Sequence, residues 1–168
     1  MLSAMRNATA AALVLALCCT ASCSRKEAEI NGIGKWVLGK TTLAEAPGFC
    51  SPDTITFCSA NGAVPIGNQV ADVNLYFRGG EPDSPLVEIE LAVRRCNHQD
   101  LVPALIDVLG EPNVRKQNHY IWKSGAAFIA GVIPAQARRC ELSFVSPDDK
   151  KRVAELTAAA NATSPSSP

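Results

Sequence analysis

The sequence predicts an α+β fold, in which an antiparallel sheet carries one short and one longer helix packed on one face. Apolar and polar residues alternate over residues 70–77 and again over 87–94, which is the period of half-buried strands. The loop between these runs, residues 79–85, is rich in Gly, Pro and Asp and indicates a hairpin. Residues 97–110 instead have apolar side chains at helical spacing, bounded by Asn97 and Gly110.

The first elements are short. Residues 35–38 form an extended run, and Thr41 or Thr42 then caps a brief helix that ends at Glu45, before Pro47. Residues 54–58 alternate and predict a strand.

In the hairpin, one set of side chains is expected to face the core, and Tyr76 is expected to face outward with Asp72 and Asn74. The inward set is Ala71, Val73, Leu75, Phe77, Val87, Ile89, Leu91 and Val93.

Asn97 is expected to cap the longer helix, and Gly110 to end it ahead of Pro112. Three strands follow, at residues 120–122, 126–133 and 140–144, and then a short terminal helix through Leu156. The Ala/Ser/Pro-rich residues 157–168 predict a disordered tail, so that the single domain covers residues 33–156. Each half of this domain has a Leu-Gly pair, a helix, strands and two cysteines, which suggests an internal duplication.

The amino-terminal segment predicts export. Arg6 precedes an uncharged, mostly apolar run over residues 8–19, which is shorter than the roughly 20 residues that span a bilayer. Thr20-Ala21-Ser22-Cys23 follows and resembles the bacterial lipobox. The resemblance implies that residues 1–22 are a lipoprotein signal peptide and that Cys23 carries a diacylglyceryl group and an acyl chain such as palmitate. An ordinary secretory signal and an uncleaved anchor are the alternatives.

The lipobox resemblance also implies a location. Residues 23–32 would form a tether to the bilayer, and Ser24 after the lipidated cysteine implies the outer membrane of a Gram-negative envelope, facing the periplasm. The mature chain would have 15 basic and 16 acidic residues, because Arg6 is the one charged residue of the signal. Nothing in this balance indicates a nucleic-acid partner.

Four cysteines remain after the signal and Cys23 are set aside: Cys50, Cys58, Cys96 and Cys140. An even number in an oxidising compartment predicts two disulfides, with three possible connectivities. Cys50–Cys58 and Cys96–Cys140 are favoured because each would tie a helix edge to a neighbouring strand. A metal site that uses Cys96, His98 or His119 is the alternative, but no C-x-x-C or H-x-x-x-H spacing supports it, and no metal is expected.

Gly34–Thr41 matches the P-loop expression G-x-x-x-x-G-K-[ST]. A phosphate loop needs a buried parallel strand before it and a long helix after it. Here a polar tether precedes the motif and Pro47 interrupts the helix, so neither nucleotide nor any other cofactor is expected. The sequence has no G-x-S-x-G or H-E-x-x-H motif, and we expect no enzymatic activity.

Partner-binding candidates are Tyr76 and two arginine pairs, Arg94-Arg95 and Arg138-Arg139. A Cys96–Cys140 bridge would bring the pairs together into a basic cluster for an anionic partner or a lipid headgroup. The alternative is a solvated strand end whose arginines pair with Glu88, Glu90 or Glu141. Tyr120 and Trp122 are further aromatic candidates, although Trp122 is expected in or near the core.

Leu105–Pro112 forms a helix end of the type Leu-Gly-x-Pro, and Tyr120-Ile121-Trp122 follows. In this the domain resembles envelope modules of the SmpA/OmlA type and beta-lactamase inhibitor protein. The resemblance implies a sheet-and-helix binding module without catalysis. The function expected is therefore that of a lipid-anchored envelope protein that binds another envelope protein through its exposed sheet face. An inhibitor or immunity lipoprotein against a periplasmic hydrolase or toxin is the alternative.

Overall fold

A computed structural model describes residues 29–161 and confirms the α+β class. The signal peptide, Cys23 and residues 162–168 lie outside the described residues. The helices are a 3-10 turn at Leu43–Glu45, α1 at His98–Leu109 and α2 at Lys150–Asn161. The strands are Gly32–Ile33 (β1), Trp36–Val37 (β2), Phe49–Ser51 (β3), Ile55–Ser59 (β4), Ala63–Ile66 (β5), Gln69–Arg78 (β6), Leu86–Arg94 (β7), Val114–Lys116 (β8), His119–Lys123 (β9), Phe128–Val132 (β10) and Arg139–Val145 (β11).

Nine of these strands form one antiparallel sheet in the order β3-β4-β6-β7-β11-β10-β9-β8, with β5 paired to β6 beyond the end of β4. The sheet consists of two four-stranded meanders, β3-β4-β6-β7 and β8-β9-β10-β11, joined where their last strands pair. A helix precedes each meander in the chain. The two halves are thus similar in the order of their elements, because each consists of a helix followed by a four-stranded meander.

The front face of the sheet holds the main core, which α1 and the 3-10 turn cover as expected. Asn97 caps α1 by accepting a hydrogen bond from the Gln99 amide at 3.0 Å. Gly110 ends the helix with a φ of 78°, a conformation that glycine adopts without steric cost. The Trp122 indole N–H donates to the Gly110 carbonyl at 2.8 Å, so that β9 holds the end of the helix.

The back face is covered in part by α2, which places Val153, Leu156 and Ala160 over a second apolar cluster. That cluster contains Ile121, Phe128, Ala130 and Val145. The helix continues to Asn161, five residues beyond its expected end, so residues 157–161 belong to it rather than to a tail. Because α2 lies opposite α1, the second half of the sheet is a three-layer structure.

One register differs from the expected alternation. Tyr76 pairs with Glu88 but Phe77 pairs with Leu86, so β7 has an extra residue, Val87, at this point. Leu86 is therefore buried at 1% exposure in the place expected for Val87. A bulge of this kind is invisible to a period-2 pattern because it shifts the pattern by one residue.

Both favoured disulfides are present. Cys50 and Cys58 are directly opposite on β3 and β4, with their Cα atoms 4.0 Å apart. Cys96 and Cys140 are joined with Cα atoms 5.9 Å apart. The second bridge ties the start of α1 to β11, as expected. The first does not tie a helix edge, because β3 is a strand that the sequence pattern did not reveal.

Candidate functional site

An apolar patch crosses the edge of the back face in the first meander, where none of the helices in residues 29–161 covers it. Phe49, Ile55, Phe57 and Tyr76 share this face, because Ser51 pairs with Phe57, Ile55 with Arg78 and Phe57 with Tyr76. Phe49 is 82% exposed and Ile55 is 45% exposed. The rings of Phe57 and Tyr76 pack with centroids 5.1 Å apart. We call these four residues the aromatic patch.

Glu90 connects the aromatic patch to the rest of the back face. One of its carboxylate oxygens accepts from the Tyr76 hydroxyl at 3.0 Å, and the other accepts from Asn74 Nδ2 at 2.9 Å. Arg139 donates to the same carboxylate at 3.1 Å. Burial, and then the nearby charge of Glu90, raise the pKa of Tyr76 above its usual value. The hydroxyl therefore stays protonated and holds the ring in a fixed orientation.

Another carboxylate of β7, Glu88, is buried and is bound by Arg152 of α2. Arg152 donates from Nε and Nη2 to the two oxygens of Glu88, each at 2.8 Å. The Glu88 side chain is only 10% exposed. The hydrogen bonds to Glu88 raise the pKa of Arg152 above its usual value. The pair fixes α2 on the sheet and sets the boundary between the covered and open parts of the back face.

The four predicted arginines do come together at one end of β7 and β11. Arg94 and Arg139 are directly opposite, and the Arg95 amide donates to the Arg138 carbonyl at 2.7 Å. The Cys96–Cys140 bridge lies beside them. We call these residues, Arg94, Arg95, Arg138 and Arg139, the arginine platform.

Only half of the arginine platform is neutralised by neighbouring carboxylates. Arg94 pairs with Asp72 at 2.8 Å, and Arg139 pairs with Glu141 at 2.8 Å in addition to Glu90. The expected alternative of local ion pairs thus holds for Arg139, whereas Glu88 pairs with Arg152 instead. Arg95 and Arg138 are exposed and form no salt bridge within residues 29–161.

Tyr120 occupies a place that differs from the sequence-based expectation. Tyr120 is fully buried on the front face and is therefore not a surface aromatic. Its hydroxyl is hydrogen-bonded to His98 Nε2, and His98 is partly buried at the start of α1. Cys96 is bonded to Cys140 and its sulfur is not free for the alternative metal site. No cluster of three metal-binding side chains occurs in residues 29–161.

A cleft of about 140 Å³ separates α2 from the second meander on the back face. Glu90, Glu141, Ser143 and Arg152 give it a polar wall, while Val132 and Leu156 contribute apolar surface. The cleft lies beside Arg139 and thus continues the open back face toward α2.

The P-loop-like segment has the structure of a hairpin. Gly34 and Lys35 form the turn between β1 and β2, which pair antiparallel. The Thr41 hydroxyl accepts a hydrogen bond from the Val37 amide at 3.0 Å, and the Thr41 carbonyl accepts one from Leu86 at 2.9 Å. This geometry differs from a loop that links a parallel strand to a helix and encloses phosphates. The expectation of no nucleotide binding stays a prediction.

Within residues 29–161, no helix has the length and apolar character needed to cross a bilayer. The chain matches no protein-family model, and no curated protein or solved structure is significantly similar to it. The resemblance to SmpA/OmlA-type modules and beta-lactamase inhibitor protein therefore stays a prediction.

Sequence reasoning missed the assembly of the aromatic patch around Tyr76, the burial of Glu88 and the partial burial of Glu90. Tyr76 was predicted, but Phe49 lies in a three-residue strand without a detectable pattern. The available sequence signal for Phe49 was an aromatic residue directly before a cysteine. The burial of Glu88 and the partial burial of Glu90 had no sequence signal, because alternation placed both side chains outward and only α2 and the neighbouring strands cover them.

Proposed function

We propose that the protein is a non-enzymatic, lipid-anchored protein of the cell envelope, which binds a partner protein through the open part of its back face. The aromatic patch is the observation that carries this proposal. Exposed aromatic side chains with few internal degrees of freedom are enriched at protein interfaces, where they supply a large contact area at a small entropic cost. Here Tyr76 and Phe57 are already ordered by each other and by Glu90.

The remaining support concerns compartment. Two cysteine pairs at disulfide distance fit a protein of an oxidising compartment. The Thr20–Cys23 sequence resembles a lipobox, and lipidation of Cys23 would place the domain at the outer membrane facing the periplasm. Glu29 is six residues from Cys23, so the anchor would hold the start of the domain within about 20 Å of the bilayer.

Site-specific photocrosslinking in the native host tests the proposal. Benzoylphenylalanine replaces Phe57, because its first aromatic ring corresponds to the ring of phenylalanine. The control position is Val108, which is 59% exposed on α1 at the front of the molecule. We expect one discrete adduct with an envelope protein at position 57 and none at position 108. The absence of an adduct at position 57, or the same adducts at both positions, would contradict the proposal.

The mass of the adduct then identifies the partner. A periplasmic hydrolase or a toxin at position 57 would assign the protein to the inhibitor or immunity class. An envelope assembly protein would assign it to the broader binding role.

A further inference from the structure

The arginine platform lies at the end of the sheet away from the point where the chain enters the domain. Ser124 Oγ donates to the Ile30 carbonyl at 2.9 Å, in the turn between β9 and β10. Phe128 follows this turn and pairs with Val145 of β11. Arg139 is six positions before Val145 on the same strand, a distance of about 20 Å. If Cys23 anchors the domain, the platform would lie at the end of the sheet that is farther from the anchored end.

We propose that the arginine platform is a second contact surface, which receives an acidic segment with apolar residues from a partner protein. This inference rests on the proposed function for its orientation, but on separate residues for its chemistry. Arg95 and Arg138 supply two cations that have no salt bridge to the described residues 29–161, and guanidinium groups bind carboxylates through paired hydrogen bonds.

Apolar side chains flank the arginines and favour a protein as the partner. Val70 is 58% exposed and lies on β6, one position beyond the pair Ala71–Val93 and so beside Arg94. Val132 of β10 is 45% exposed and pairs with Glu141 of β11. Basic groups with apolar side chains on both sides match a segment that carries both carboxylates and aliphatic side chains.

Carboxylates around the platform disfavour a polyanion. Asp72 and Glu141 already neutralise Arg94 and Arg139, which restricts the uncompensated positive charge to Arg95 and Arg138. Nucleic acids bind to extended basic surfaces that contact many phosphates, and anionic bilayers bind to clusters of several free cations. Two arginines that are unpaired within the described part of the chain and lie near carboxylates suit a short acidic segment better.

The backbone of the platform is held in place before it meets a partner. Arg95 has a φ of 52°, a left-handed conformation that costs free energy for a residue with a side chain. The bond from the Arg95 amide to Arg138 and the adjoining Cys96–Cys140 bridge maintain it. A surface held in this way loses less entropy when a segment binds.

Binding of a labelled peptide to the full-length protein in a non-ionic detergent tests the inference. The probe is a fluorescein-labelled hexapeptide, Glu-Glu-Leu-Glu-Glu-Leu, followed by fluorescence anisotropy. The variant Arg95→Asn/Arg138→Gln removes both charges, and Asn tolerates the left-handed conformation at position 95. We expect it to weaken binding about tenfold, since each lost ion pair weakens binding severalfold.

The control variant Lys40→Asn/Lys151→Gln removes the same charge from exposed positions outside the platform. We expect this control to bind the peptide within twofold of the wild type. A wild-type Kd above about 1 mM, or equal weakening in both variants, would overturn the inference. Stronger arginine-dependent binding to phosphatidylglycerol vesicles or to a DNA duplex would also overturn it.

Failure here is distinguishable from failure of the proposed function. The crosslink at position 57 reports on the aromatic patch, whereas the peptide reports on Arg95 and Arg138. An adduct at position 57 without peptide binding would leave the proposed function standing and remove the second contact surface.

Discussion

Arg152 donates a hydrogen bond to each carboxylate oxygen of Glu88, which is 64 positions earlier in the sequence, with two donor–acceptor distances of 2.8 Å. Glu88 lies mid-sheet on β7, and Arg152 lies in the first turn of α2. Few apolar side chains of α2 contact the sheet, namely Val153, Leu156 and Ala160. The ion pair is therefore a principal attachment of this helix.

Replacing Arg152 with Met should destabilise the protein by about 1–3 kcal/mol, because the buried Glu88 carboxylate then lacks its two charged hydrogen bonds. The substitution should loosen α2 in addition to lowering the stability of the whole domain. Urea unfolding gives the free energy, and hydrogen exchange should show faster exchange of the α2 amides. Lys151→Met, on the exposed side of the helix, serves as the control and should change the stability little. Equal effects of the two substitutions would rule out the attachment role.

Tyr76 should make stability depend on alkaline pH. Its pKa is raised above the unfolded value of 10.0, because burial and Glu90 disfavour the phenolate. The folded state then retains a proton that the unfolded state releases, so stability is fully present below about pH 10 and is lost as the pH rises further. Urea unfolding from pH 8 to 11 measures this loss.

Tyr76→Phe is the matched variant for this prediction. It should lose about 1 kcal/mol at neutral pH through the missing hydrogen bond to Glu90, and it should show a smaller decline above pH 10. A decline of unchanged size would assign the alkaline effect to other groups. Absorbance titration of the two proteins, compared by difference, reports the ionisation of Tyr76 itself.

The two disulfides should differ in their contribution to stability. Cys50 and Cys58 are 8 residues apart, whereas Cys96 and Cys140 are 44 apart. The loop-entropy relation gives about 2.5 and about 4 kcal/mol, respectively. The Cys→Ala pair at 96 and 140 should therefore lower the unfolding free energy by about 1.5 kcal/mol more than the pair at 50 and 58. Equal losses in urea unfolding would contradict this order.

Cys23→Ser should abolish incorporation of radiolabelled palmitate and release the protein from the membrane fraction. The reason is that no other cysteine in the segment follows two small residues. Cys19→Ser is the control and should retain both label and membrane association. Label that persists in Cys23→Ser would refute the lipobox assignment.

Local sequence determined much of the fold. Alternation gave β6 and most of β7, and the residues Asn97 and Gly110 bounded α1, since capping and strand period are short-range properties. The short strands β3, β5 and β8 escaped detection because three or four residues are too few to establish a period. The bulge at Val87 escaped it because the extra residue is defined by the register with Phe77.

The candidate site divides in the same way. The sequence by itself determined Tyr76 as an outward aromatic, the arginine pairs as a basic cluster and the four disulfide cysteines. Only the tertiary structure decided that Glu88 is buried and Glu90 half-buried, that α2 covers one part of the back face, and that Arg95 and Arg138 have no counterion among residues 29–161. The physical reason is that burial and ion pairing depend on residues up to 64 positions apart, whose proximity arises only when the strands pair.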